Sequence, residues 1–199
     1  MTKKSLLVLA LCAFIATGAF AQIKGGFGLA YDNGPLGRVT DSNNPMSLNY
    51  AGFGIFGFAD FFNYVEFSFG LSGGAGLHEI DRTNLALPDP YILTVGLLGK
   101  IPIYPNGSNS SVFPLFGAGA NFILDENGTK VANYIDDDTI NTVGGVLLPL
   151  SLCLGVGGDY YIGERAFLRG EVVGSYRLPL NFNFEDGGMG VTLRLAVGF

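Results

Sequence analysis

Few side chains in this 199-residue chain are equipped for chemistry. The sole histidine is His78, and Asp41-Ser42 lies upstream of it. Serine becomes a nucleophile only beside a base, so a His, Ser and acid set would suit acyl transfer at a lipid. The spacing matches no catalytic motif, and the expectation is that the chain is not an enzyme. A second group is acidic: Asp125, Glu126 and the run Asp136-Asp137-Asp138, all within 125–142. Carboxylate oxygens suit Ca²⁺, a hard cation, but EF-hand spacing is absent and a solvated acidic loop is the preferred reading. No metal and no cofactor is therefore expected. The pairs Gly117/Gly119 and Gly155/Gly157 open no helix, so they do not read as phosphate loops. What remains is a set of charges within apolar stretches: Lys24, Glu66, Arg169, Glu171 and Arg194. Unpaired charge in such surroundings is costly, so these side chains must find one another.

Whether they can meet depends on the elements that carry them. The first residues set the compartment. Lys3 and Lys4 precede an apolar stretch from Leu6 to Thr17, and Ala19-Phe20-Ala21 supplies small residues at the −3 and −1 positions. This is a secretory signal, residues 1–21, with cleavage before Gln22. The stretch is short for a membrane span of roughly 20 residues. A lipoprotein would use Cys12, but Leu11 stands where a small residue is wanted. The mature chain, 22–199, is one domain by length. Cys153 is then the only cysteine, so no internal disulfide forms. Losing Lys3 and Lys4 leaves nine basic against 17 acidic residues, so the formal charge moves from −6 to −8. A chain this acidic is a poor partner for nucleic acid.

The composition points to lipid. Mean hydropathy is +0.37, Gly occurs 31 times and charged residues make up only 14%, against about 25% in soluble domains. Yet no clean apolar run of about 20 residues follows Gln22. The nearest, 143–158, is broken by glycines and by Pro149. Hydrocarbon tolerates only helices and closed barrels, because every backbone polar group needs a partner. A barrel is the remaining solution.

The alternation agrees. In 188–199, Met189, Val191, Leu193, Leu195, Val197 and Phe199 share one face, and Gly190, Thr192, Arg194, Ala196 and Gly198 share the other. In 165–178, Leu168, Val172 and Tyr176 oppose Arg169, Glu171 and Ser175. In 64–72, Val65, Phe67, Phe69 and Leu71 oppose Tyr64, Glu66, Ser68 and Ser72. In 23–31, Ile23, Phe27, Leu29 and Tyr31 oppose Lys24, Gly26, Gly28 and Ala30. Four further strands fall near 48–59, 91–101, 112–124 and 143–156. Asn121 is expected inward, and a bulge is expected at Pro149, which cannot donate to a ladder. The connections 32–47, 60–63, 77–90, 102–111, 125–142, 157–165 and 178–187 alternate long and short, as in outer-membrane barrels. Seven connections give eight antiparallel strands with both mature termini periplasmic. Tyr31, Tyr50, Tyr91 and Tyr176 fall at the outer ends, and Tyr64, Tyr104, Tyr160 and Tyr161 at the inner ends, as interfacial tyrosines should. A soluble sandwich or lipocalin-like barrel would need more charge to coat its surface. Glu171 and Arg194 are expected to pair, since their strands are neighbours.

The signal, the alternating connections, the run Gly155-Val156-Gly157-Gly158-Asp159-Tyr160-Tyr161 and the terminal strand Met189 to Phe199 resemble the small OmpA/OmpX/OmpW-type outer-membrane barrels. The resemblance covers the mature chain and is one of pattern. It implies an eight-stranded up-and-down transmembrane β-barrel in the bacterial outer membrane. It also implies contact with outer-membrane lipid and with the barrel-assembly machinery, which would read a signal ending at Phe199. No periplasmic domain is expected after Phe199, so a peptidoglycan-binding role is not carried over. Three functions remain, in this order. The first is a structural or surface-interaction barrel whose loops meet a host or surface ligand. The second is a narrow channel or port for small hydrophobic molecules. The third is a rim enzyme acting on lipid.

Overall fold

The computed structural model describes residues 23–39, 46–73, 91–124, 145–179, 182 and 184–199. The signal 1–21, Cys12, Asp41-Ser42, His78 and the whole acidic stretch 125–142 lie outside the described residues. Among the described residues nine strands form: β1 Ile23–Val39, β2 Met46–Phe61, β3 Val65–Gly73, β4 Tyr91–Lys100, β5 Ser110–Leu124, β6 Gly145–Leu147, β7 Leu150–Tyr161, β8 Phe167–Leu178 and β9 Gly188–Gly198. Each long strand pairs antiparallel with the next, β5 pairs with β7, and β9 returns to β1. The result is a closed eight-stranded antiparallel barrel with β6 as a short addition. The seam is tied where the ends of the chain meet. Gly25 N–H donates to Phe199 O at 3.0 Å and Phe199 N–H donates to Gly25 O at 2.8 Å.

The strands run further than their alternation suggests. Residues 32–39 and 46–47 continue the β1–β2 ladder rather than forming a loop from 32 to 47, with a register shift between Pro35 and Gly37. Likewise 157–161 belong to β7, not to a turn. The turn between β2 and β3 is tight. Phe62 and Asn63 have φ of 57° and 62°, and Tyr64 N–H donates to Phe61 O at 3.1 Å. Positive φ at both central residues is the primed turn that matches strand twist.

Pro149 breaks its strand instead of bulging it. It has no N–H, so the ladder cannot continue through it on both sides. Pro149 O still accepts from Asn121 N–H at 2.7 Å. Before the break, β6 pairs with β1 at Gly37, Arg38 and Val39. The β1–β9 ladder has already ended at Asn33–Val191, so β6 covers an edge that would otherwise be free. This detour turns Leu148 inward: it is buried, whereas Leu152 and Leu154 are exposed. Leu148 therefore does not share the outward face of Leu152 and Leu154, although it keeps step with them in sequence.

Elsewhere the two faces separate as alternation requires. Phe27, Leu29, Ile55, Leu154, Leu195 and Met189 stand exposed on the outer wall, from 64% for Ile55 to 83% for Met189. An apolar band like this is stable in hydrocarbon and not in water. Exposed aromatics crowd the rim near the ends of the chain: Phe61, Phe62, Tyr64, Tyr104, Tyr160 and Phe199. At the opposite rim Tyr91, Phe122, Phe182 and Phe184 are exposed, with Tyr176 stacked on Phe184 at 6.2 Å. Two tyrosines depart from expectation. Tyr50 is buried in the lumen, and Tyr64, expected inward, is exposed on the primed turn.

Glycine makes the lumen workable. An eight-stranded interior is just wide enough for side chains, so large rings need bare backbone beside them. A Cβ at Gly26 would strike Phe58, one at Gly198 would strike Phe167, and one at Gly157 would strike Phe113. Phe58, Phe113 and Phe167 are all buried. They lie against these glycines and frame the side chain at the centre of the site.

Candidate functional site: a lumen charge network

That side chain is Arg169. Its residue faces Asp159 across β7–β8, and Asp60 faces Glu66 across β2–β3, so four inward charges reach one level of the barrel. Arg169 Nε donates to Asp159 Oδ1 at 2.7 Å and Nη2 to Asp159 Oδ2 at 2.9 Å. Nη2 also donates to Asp60 Oδ2 at 2.7 Å, and Nη1 to Asp60 Oδ1 at 3.2 Å. Nη1 further donates to Glu66 Oε2 at 2.9 Å. A guanidinium has five N–H donors in a rigid fork, and here each has a carboxylate oxygen. Rings enclose what the carboxylates leave: the Arg169 Cζ lies 4.0 Å from the Phe58 centroid, 5.2 Å from Phe113 and 5.3 Å from Phe167. Such cation–π contacts favour the buried cation further. The Arg169 side chain is 0% exposed.

The network extends both ways. Lys100 pairs with Asp60 and stands 4.7 Å over the Phe113 ring. Arg194 Nη1 lies 3.3 Å from Glu171 Oε2 and 3.5 Å from Glu66 Oε1. Glu171 and Arg194 are direct cross-strand partners. Lys24 stands apart from the guanidinium. It donates to Tyr161 OH at 3.2 Å, with its ammonium 5.1 Å from that ring. Phe199, the proposed assembly signal, is exposed at the seam.

A second, smaller layer lies towards the other end. Arg177 Nη2 donates to both oxygens of Asp32 at 2.8 Å, and Thr192 Oγ1 donates to Asp32 Oδ1 at 2.9 Å. Arg177 Nη1 reaches Pro35 O at 3.3 Å. Sequence reasoning missed Asp32, Asp60, Lys100, Asp159 and Arg177. Three of them, Asp32, Asp60 and Asp159, read as turn residues at strand ends. The usable signal was parity: Asp60 keeps step with Phe56 and Phe58, and Asp159 with Gly157.

Chemically the arrangement is a plug. Among the described residues no group of His, Cys, Asp and Glu is arranged to hold a metal. The carboxylates of the main layer are engaged by cations. The Glu171–Arg194 contact has a measurable worth. Glu171→Gln leaves Arg194 with Glu66, so the loss should be about 1–3 kcal/mol rather than that of an orphaned charge. Arg194→Met alone should cost more, since it leaves Glu171 and part of Glu66 unmatched. In urea unfolding from detergent, the double variant should lose less than the two single losses combined. Additive losses would mean that the contact carries no coupling.

Comparisons with known proteins agree on architecture. No protein-family profile matches the chain, and no curated protein matches it in sequence. Among solved structures, Neisserial surface protein A is similar with a TM-score of 0.54 and 13% identity, over 89% of this chain and 96% of that one. OprG from Pseudomonas aeruginosa gives 0.45 and 12%, over 88% and 93%. Ail, the attachment invasion locus protein of Yersinia pestis, was solved with the heparin analogue sucrose octasulfate. It gives 0.41 and 16%, over 89% and 99%. The chain thus has the fold of the small eight-stranded outer-membrane barrels.

Proposed function

We propose that this chain resides in the bacterial outer membrane as a closed scaffold, and that its activity is carried by the connections at the rim opposite its termini. The observation that carries this is the fully buried Arg169 layer: a lumen filled by matched charges leaves the rims as the places where a partner can act. The seam joins Gly25 to Phe199 at one rim, which we assign to the periplasm. The segments 40–45, 74–90 and 125–144 connect strand ends at the opposite rim. They are acidic: Glu79, Asp81 and Asp89 stand against Arg82, and Asp125, Glu126, Asp136, Asp137 and Asp138 against Lys130. A field of one sign steers ligands of the other, so the surface or host ligand is a basic one. In this reading the chain is not an enzyme.

The test is to shorten 74–90 and 125–144 in cells that export the protein, and to measure capture of an oligolysine probe and attachment to host-cell monolayers. Both should fall with the shortened chain and weaken with added salt. Equal capture by full and shortened chains would remove the surface role. It would favour the port for hydrophobic molecules if an apolar dye then enters. Phe199 is proposed as the signal read by the assembly machinery. Deleting it should leave protease-sensitive protein in the periplasm, and normal membrane levels of that variant would end this assignment.

A further inference from the structure

Between the two charged layers the lumen holds a chamber of about 50 Å³. That is room for about three water-sized bodies. Its lining differs from the plug below it. Arg194 and Arg177 both border it, each held from one side by carboxylates: Arg177 by Asp32, and Arg194 by Glu171 and Glu66. Both Asp32 oxygens already accept hydrogen bonds, from Arg177 and Thr192. The atoms left without partners are of one kind. Arg177 Nε and Asn121 Nδ2 are obligate donors, and the Ser72 and Ser175 hydroxyls can turn to donate. Arg177, Asn121 and Ser72 are each more than nine-tenths buried, and all border the chamber. Glu171 Oε1 also has no hydrogen-bond partner, but Glu171 is not part of this lining and points towards Arg169 Nε at 3.8 Å.

We propose that this chamber is a binding site for one small monovalent anion of the halide or nitrate class. Buried donors left unmet cost free energy, more so in a low-dielectric interior. An anion accepts from such donors and brings no protons of its own, whereas a water adds two that need acceptors. The anion is resident and not permeant, since the Arg169 layer closes the lumen on one side.

The test uses the mature barrel folded in detergent, with sodium bromide set against sodium gluconate at constant ionic strength. Crystals grown in bromide should show one anomalous peak between Asn121 and Arg177. The thermal midpoint should rise with bromide and saturate. Asn121→Leu removes a donor to the ion, so bromide should bind it at least about tenfold more weakly. Should that variant fail to fold, the Ser72→Ala/Ser175→Ala pair serves, with a weaker but measurable reduction. Water density with no anomalous peak would overturn the proposal. So would equal stabilisation of the parent and its variants by bromide.

Discussion

Replacing Arg169 by Met should abolish folding of the barrel or leave it barely stable. The side chain is similar in reach, so little volume changes. What changes is that Asp60, Glu66 and Asp159 lose the cation that engages all three. Removing one partner of a buried pair costs about 3–5 kcal/mol, and here one guanidinium answers three carboxylates, so the loss should reach about 5 kcal/mol or more. Whole domains are stable by only about 5–15 kcal/mol. Lys at this position keeps the charge but loses the fork, so Arg169→Lys should fall between parent and Met variant. The check is urea unfolding in detergent, together with the fast SDS-gel mobility of unheated barrels. Adding Asp60→Asn and Glu66→Gln to Arg169→Met should recover part of the loss. A Met variant within about 1 kcal/mol of the parent would show that the network is not what holds the lumen.

Gly28→Val should prevent the seam from closing. Gly28 faces Ala196 across β1–β9. A Cβ there would fall on the Leu195 carbonyl and 2.5 Å from Ala196 Cα, both backbone. Backbone cannot swing aside as a side chain can. Overpacking a well-filled site costs about 1–3 kcal/mol, and at a seam that closes the ladder the loss should be about 3 kcal/mol or more. Gly170→Ala is the control, because its Cβ would meet Leu195 Cδ2 at an ordinary 3.6 Å. The control should fold like the parent, while the Val variant stays unfolded by the same gel and urea measurements. Equal behaviour of the two would show that the seam has more room than the geometry gives it.

Much of this architecture was legible in the sequence. Alternation in 188–199 and 65–72 assigns faces correctly because lipid outside and side chains inside impose opposite demands on successive residues. The eight long strands also fall where the pattern places them. The strand ends did not. Asp32, Gly34 and Pro35, like Gly157, Gly158 and Asp159, have the composition of turns. They lie in strands because their partners arrive from far along the chain: Asp32 meets Arg177 across 145 residues, and Asp60 meets Arg169 across 109. Local pattern carries no trace of such a match. The five inward charges first singled out were half of a larger arrangement. Lys24 was grouped with the others by parity alone, and its level in the barrel sends it to Tyr161 instead.

The central claim is that the lumen is closed at the Arg169 layer. Liposome swelling tests it most directly. Folded protein is reconstituted into vesicles, and entry of a small sugar such as arabinose is followed by light scattering. Entry should be no faster than in protein-free vesicles. Rapid arabinose entry through the folded barrel would contradict it, because a path for a sugar cannot coexist with a buried Arg169 held by three carboxylates.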